Sequence, residues 1–417
     1  MIKVLIKGPI LSRSGYGEHA RLVFRSLMNS PDRFDVYVIP IEWGMSNWPT
    51  DFNDPEIKMI LNCMNKMQHS NGKFDVSMQV TVPTEWERIA DVNIGVTAGI
   101  ETDKVSPEWL QAINTVDSVI VVSEHAKTGI VNTKYQGKTQ DGSIVEVACE
   151  TPVEVIGYPV RNKEDVKINL GLKTSFNFYT VAQISPRKNV GKLFEWFMEE
   201  FQDDDDVGLV AKLHTNNNSY VDFEQTKKKV SSWSKRNPNK KCKIYLIHGN
   251  MSDEEMSSLN SHPGIKAFIT TTHGEGYGLP IFEAAYCGLP VVAPAWSGQV
   301  DFLYAPVKNE KSGRIKKAPL FSKIKFDIKE VDQTAVWQGV INPDTKWCYP
   351  DKNSFQKQIR NLKNTYDHKK KIAEQLKDHL HTAFSEEVIY KKYADLVSKS
   401  SKFDDEIDDL FSQLTIE

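Results

Sequence analysis

The chain has 417 residues, which exceeds one ordinary core and suits two domains of about 150–200 residues each. Its net charge of −3 excludes an overall basic field that would recruit nucleic acid or an anionic membrane. Five widely spaced cysteines (Cys63, Cys149, Cys242, Cys287, Cys348) form neither a CxxC pair nor a Cys/His zinc spacing, as expected in a reducing compartment without a structural metal.

From the N-terminus, "MIKVLIKGPI" is short and Lys-interrupted, and reads as a first strand rather than a signal peptide. Apolar, β-rich runs follow at 34–41, 74–82, 91–98, 117–123 and 152–160, separated by helical patterns such as "GEHARLVFRSLMNS" (17–30) and "SPEWLQAINTV" (106–116). Residues 161–175 carry little strand signal and read as a linker and hinge. The alternation then restarts at 176–183, 207–214, 242–249, 265–271 and 289–294. Such alternation predicts an α/β protein with two doubly wound parallel sheets, each covered by helices on both faces. Residues 306–346 read as a Lys-rich, strand-poor insertion, and the chain from Asn353 onward as helical, ending in the charged "SKFDDEIDDLFSQL". No apolar run approaches the roughly 20 residues that span a bilayer, and a cytoplasmic location is expected.

The most informative stretch is "HGEGYGLPIFEAAYCGLP" (273–290). It reads as a glycine loop after the strand "IKAFITT", then a helix with Pro280 in its first turn and Gly288 as its left-handed cap. A loop of small residues entering a helix N-terminus offers free N–H groups and a favourable dipole to phosphate. Gly276, Tyr277, Gly278 and Leu279 are the candidate amide donors. Glu275 lies on the loop and Glu283 about one turn into the helix, where two carboxylates can meet different parts of one extended ligand. A second signal, "TVAQISPRKNVGKLFEWF" (180–197), follows a strand with a basic pair, Arg187 and Lys188, suited to pairing with phosphate.

With seven residues between them, Glu275 and Glu283 resemble the E-x7-E motif of family-4 retaining glycosyltransferases of the GT-B fold. "EGYGLPIFEAAYCGLPVVA" is similar to that family's signature nearly throughout, and so is the "WSGQVDFL" (296–303) that follows it. The resemblance implies two Rossmann-like domains facing across a cleft: an acceptor-side domain at 1–165 and a donor domain at 166–385. It also implies a helical tail at 386–417 crossing back to the first domain. It further implies that Glu275 lies near the donor sugar, that Glu283 binds the donor ribose and that the amides of 276–279 hold the diphosphate. Lys188 matches the family's lysine, which neutralises the departing diphosphate. Gln183 stands where the family has arginine, and Arg187 is positioned to supply the lost charge. "GPILSRSGYGEHARL" (8–22) resembles the family's N-terminal glycine loop, so Gly15 and Gly17 would face the donor and Tyr16 the acceptor; an ordinary βα turn is the competing explanation. Glu101 and Asp103, in "GVTAGIETDKVSPEWL", are candidate acceptor contacts, with a plain capping loop as the alternative.

The implied activity is transfer of a sugar from a UDP- or GDP-sugar to an acceptor hydroxyl, with retention of configuration and without a cofactor or metal. The acceptor, whether glycan, lipid, protein or modified DNA, is open. The rival activities are a DNA-modifying glycosyltransferase, a GT-B epimerase or phosphorylase, and a non-catalytic nucleotide-sugar module. "DDDD" (203–206) reads as a solvated loop, His125 as a helix-start residue, and the basic runs at 227–243 and 311–325 as solvated faces able to meet an anionic surface.

Overall fold

The computed structural model describes residues 1–44, 46–48, 53–138, 143–308 and 312–401. The described chain begins with β1 (Ile2–Gly8), α1 (Gly15–Met28), β2 (Phe34–Pro40), α2 (Pro55–Gln68), β3 (Val76–Val80) and β4 (Val92–Thr97). Next come α3 (Pro107–Ile113), β5 (Ser118–Val121), α4 (Glu124–Val131), a hairpin of β6 (Lys134–Lys138) and β7 (Ile144–Ala148), and β8 (Val153–Val155). The helices start where a polar side chain can cap their free N–H groups: Ser14, Asp54, Ser106 and Ser123 each accept from the first turn they precede.

After a stretch without helix or strand, the chain forms β9 (Phe176–Gln183), α5 (Val190–Glu200), β10 (Val207–His214), α6 (Tyr220–Ser234), β11 (Lys243–Ile247), α7 (Asp253–Asn260) and β12 (Ile265–Ile269). It continues through α8 (Leu279–Tyr286), β13 (Val291–Pro294), α9 (Val300–Leu303), β14 (Tyr304–Lys308), β15 (Ile315–Pro319), β16 (Ser322–Ile324), β17 (Phe326–Glu330) and β18 (Lys346–Pro350). Three helices close the described chain: α10 (Lys352–Asn364), α11 (Tyr366–Ala383) and α12 (Glu386–Ser401).

The chain divides into two units. The first holds Met1–Gly99, Lys104–Pro159 and the chain from Glu386; the second holds Ile100–Asp103 and Val160–Ser385. Each is built on a parallel six-stranded sheet, ordered β2-β1-β3-β4-β5-β8 in the first and β11-β10-β9-β12-β13-β16 in the second. Strands covered on both faces are buried along their length, as β3, β13 and nearly all of β10 are. In the first unit α12 packs on α1, where His19 Nε2 lies 3.1 Å from the Tyr393 hydroxyl and Arg33 donates to Ser398 at 2.7 Å. The charged segment 402–417 lies outside the described residues.

The stretch 306–346 corrects the sequence expectation, because it holds strands. β14 and β15 form one antiparallel ribbon, β16 extends the second sheet, and β17 opens a ribbon closed by β18. β15 and β17 carry lysines and are largely exposed, so no apolar period announced these ribbons. The β6–β7 hairpin was missed for the same reason. Asp203–Asp206 form the turn before β10, with Asp204 paired to Lys363 and Asp206 accepting from the Ser175 amide at 2.7 Å. Lys227, Lys228 and Lys229 sit on the exposed side of α6.

The core of the second unit gathers Phe178, Phe194, Phe197 and Phe201 around Leu209 and Phe355. Phe355 is fully buried and joins α10 to this cluster. Phe355→Ala is expected to lower stability by about 3–5 kcal/mol, read from urea unfolding.

Candidate active site

Counted from β9, the second sheet runs third, second, first, fourth, fifth, sixth. The order reverses between β9 and β12, and in open α/β sheets ligands bind in the crevice beyond the strand C-termini at such a reversal. Gln183 ends β9 with Arg187 and Lys188 just beyond it, and the loop 270–278 follows β12. Two segments far apart in sequence therefore meet at the reversal.

They are joined by backbone-level contacts. The His273 amide donates to Arg187 O at 2.8 Å, Asn189 Nδ2 to Thr271 O at 3.1 Å, and Thr271 Oγ1 to Asn189 O at 3.3 Å. Asn189 takes a left-handed φ of 51°, which Asn tolerates better than most residues, and this turns the chain into α5.

Glu275 lies at the centre and is 6% exposed. Lys188 Nζ is 2.7 Å from both of its oxygens, and Arg187 Nη1 is 3.0 Å from Oε2. Arg187 Nη1 also donates to Gly274 O at 2.7 Å, and Nη2 lies 3.2 Å from Glu101 Oε1. Burial alone would raise the Glu275 carboxyl, but Lys188 and then Arg187 overcome it and hold the pKa at about 2. Burial pulls the Lys188 ammonium below its usual range while Glu275 opposes it. Burial also acts against the Arg187 guanidinium, yet Glu101 and Glu275 together raise its pKa. A buried carboxylate needs such partners, since an unpaired charge there is costly.

The backbone of Glu275 is clamped as firmly as its side chain. Its amide donates to Ser297 Oγ at 2.9 Å, and its carbonyl accepts from the Gly298 amide at 2.9 Å. Ser297 adopts a left-handed φ of 67° to present that hydroxyl, which donates in turn to Gln299 Oε1 at 2.8 Å. A Cβ on Gly298 would lie 2.0 Å from Gly276 O, so only glycine lets the two loops touch. One residue before Gly274, the His273 ring stacks on Trp347 at 4.9 Å and its Nδ1 is 2.7 Å from Cys348 O. The Cys348 amide donates back to His273 O at 3.0 Å. The β17–β18 ribbon thus braces the loop.

The residues 276–279 lead into α8 with Gly278 at φ 97°, a left-handed turn that places Leu279 and Pro280 at the helix start. At the other end Leu289 N donates to Ala284 O at 2.9 Å and Gly288 N to Ala285 O at 3.0 Å, a Schellman closure around Gly288 at φ 78°. The Tyr277 ring packs on Phe282 and Phe302 at 5.3 and 5.0 Å. Glu283 is half-buried on α8, and its charge raises the phenol pKa of Tyr179, after the larger effect of burial.

The expected site residues separate into four groups. Arg187, Lys188 and Glu275 come together in one ionic cluster, with 276–279 and Glu283 continuing from it along the chain. Gln183 is exposed and its Nε2 donates to Thr215 O at 3.1 Å, so Arg187, not Gln183, partners Glu275. Gly15, Tyr16 and Gly17 lie in the first unit, at the start of α1, beyond the β1/β3 reversal of that sheet. There Tyr16 OH lies 2.8 Å from Thr97 Oγ1 and its ring 4.3 Å from that of Trp43, and a Cβ on Gly17 would meet Ser12 O at 2.0 Å. Glu101 and Asp103 belong to the second unit, not the first as the sequence boundaries had them. Asp103 is engaged with Lys346, accepting from its amide at 2.7 Å and donating to its carbonyl at 3.0 Å. The roles of Ser297, His273, Trp347 and Cys348 had no sequence signal except the quoted "WSGQVDFL", which placed Ser297 near the motif without its clamp. Among the described residues, no group of three or more His, Cys, Asp or Glu is arranged to hold a metal.

No family model matches the sequence, and no curated protein matches it. Solved structures do. The sucrose-phosphate synthase of Thermosynechococcus elongatus has a TM-score of 0.62 at 12% identity, over 96% of this chain and 99% of that one. Anabaena HepE, in complex with UDP and glucose, has a TM-score of 0.58 at 15% identity, over 96% and 100%. The fold is GT-B. The lipopolysaccharide outer core galactosyltransferase WaaB in its apo form agrees, with a TM-score of 0.54 at 12% identity over 96% and 99%. The chain spans about half, 55%, of S. aureus TarM, matched at 16% identity and a TM-score of 0.49 over 77% of this chain. Within the GT-B fold of this chain, the ionic cluster lies at the strand-order reversal of the second unit, and no described helix is long and apolar enough to cross a membrane.

The cluster has a pH signature. Glu275 titrates at about 2 when folded against an ordinary 4.5, so the folded state binds fewer protons between those values. Its stabilisation is present above pH 4.5 and fades as pH falls toward 2. Glu275→Gln is expected to cost roughly 2–4 kcal/mol at neutral pH and to flatten the acid limb in that window, measured by urea unfolding at stepped pH. Gly298→Ala is expected to leave the sheets folded, by circular dichroism, while displacing the 275–276 backbone and lowering stability in urea unfolding.

Proposed function

We propose that the chain is a retaining glycosyltransferase of the family-4, E-x7-E type, moving a sugar from a nucleotide-diphosphate sugar to an acceptor hydroxyl. The observation that carries this is the buried Glu275 carboxylate held by Lys188 and Arg187, on the loop that runs through Gly276–Leu279 into the α8 N-terminus. That loop offers backbone N–H groups and a helix dipole to an anion, beside two cations. UDP with glucose bound to HepE, a GT-B chain, supports a UDP-sugar as the donor class.

In this proposal the second unit binds the donor. Glu283, on α8, clamps the ribose hydroxyls; Glu275 faces the sugar; Lys188 and Arg187, with the amides of 276–279, stabilise charge developing on the diphosphate. The acceptor oxygen forms its bond to the anomeric carbon on the face from which the diphosphate departs, so configuration is retained. As the carbon–oxygen bond to the diphosphate breaks, its electron pair stays with the phosphate oxygen, which takes the acceptor proton. No protein nucleophile and no metal enters this scheme. Gly15, Tyr16 and Gly17, at the corresponding reversal of the first sheet, are the proposed contribution of the first unit.

A thermal-shift screen with UDP, GDP, ADP and their sugars tests the donor site. At least one nucleotide is expected to raise the melting temperature by linkage, and silence from all of them would sink the proposal. Lys188→Ala is expected to slow release of nucleoside diphosphate from the donor so identified by about 10²–10³-fold. Glu283→Gln is expected to weaken the nucleotide itself by about tenfold, in calorimetric titration.

A further inference from the structure

We infer that Glu101 competes with the donor diphosphate for the outer edge of Arg187 and so sets how tightly the nucleoside diphosphate product is held. This rests on the glycosyltransferase proposal above.

The guanidinium has two unequal ends. Nη1 is fixed by Gly274 O at 2.7 Å and Glu275 Oε2 at 3.0 Å, both part of the clamped loop. Nη2 pairs with Glu101 Oε1 at 3.2 Å. A phosphate can reach the first end only by dismantling the loop. It can reach the second by replacing one carboxylate, whose side chain is 22% exposed. The charges make the same point. Arg187 and Lys188 are balanced by Glu275 and Glu101, so the diphosphate meets a neutral cluster while all four are paired. Displacing Glu101 from Nη2 supplies the positive charge that the ligand needs.

The competitor is also tethered. The Glu101 carbonyl lies where a Cβ on Gly274 would come within 2.5 Å of it, so the two backbones are in close approach. Two residues on, Asp103 is tied to the Lys346 backbone by two hydrogen bonds, at 2.7 and 3.0 Å. A carboxylate held at this short range stays at high effective concentration and returns to Nη2 once the phosphate leaves. Its effect is to weaken product binding and hasten release.

The test is calorimetric titration of Glu101→Gln, which keeps size and removes charge, with UDP, GDP and inorganic pyrophosphate. The expected result is a Kd about tenfold lower than wild type for the nucleotide that wild type binds, with a steeper dependence on salt. In an Arg187→Met background the same change is expected to shift Kd less than about twofold. Arg187→Lys, which keeps the charge without a second Nη, replaces Arg187→Met if melting curves show the latter unfolded. An unchanged or weaker Kd in Glu101→Gln overturns the inference. So does tightening that persists without Arg187, which would mean that Glu101 repels phosphate directly. Wild-type protein that binds none of the nucleotides overturns the glycosyltransferase proposal and this inference together. Binding that Glu101→Gln leaves untouched overturns only the role of Glu101.

Discussion

A carboxylate that is 6% exposed cannot stay ionised in a protein interior without cations against it, and Glu275 has two. That requirement explains much of the second unit. Lys188 and Arg187 come from the loop after β9 and Glu275 from the loop after β12, so pairing them draws two strand ends together at the one point where the sheet order reverses. The ion pairs are supported by neutral hydrogen bonds from Asn189, Thr271, His273 and Ser297, which fix both loops before any ligand is considered. The result is a site whose polar groups are preorganised by the fold, as charge stabilisation in a reaction requires.

The surrounding structure can be understood as bracing for that cluster. Ser297 accepts an uncommon backbone conformation to hold the Glu275 amide, and Gly298 gives up a side chain so that its amide can reach the Glu275 carbonyl. The β17–β18 ribbon, exposed along β17 but largely buried along β18, delivers Trp347 and Cys348 onto His273. Strain and packing that look dispersed along the sequence converge within a few residues of one carboxylate.

What was legible in the sequence follows from range. The central strands of the two parallel sheets are buried on both faces and announce themselves as predominantly apolar, β-rich runs, as in "FNFYTVAQ" and "VGLVAKLH". The 273–290 loop was legible because glycines, Pro280 and two glutamates are local chemistry with fixed spacing. The pairing of Arg187 with Glu275 joins positions 88 residues apart, and no periodicity records such a contact. The ribbons at 304–319 and 326–350 were invisible for a different reason: strands that form two-stranded, lysine-bearing ribbons carry no apolar alternation for burial to impose. Glu101 and Asp103 were legible as polar loop residues, but their membership of the second unit rests on long-range contacts with Arg187, Gly274 and Lys346.

That membership bears on how the protein could be cut or recombined. The second unit is discontinuous: four of its residues, Ile100–Asp103, are inserted between segments of the first. A gene fragment encoding only 160–385 would keep both sheet loops and lose Glu101 and Asp103, leaving Arg187 with one carboxylate in place of two. A chimera joining 160–385 to a foreign N-terminal half would inherit whatever residues that partner carries at those four positions. Exchange of halves at a single crossover would therefore alter the electrostatics around Arg187 and Glu275 as well.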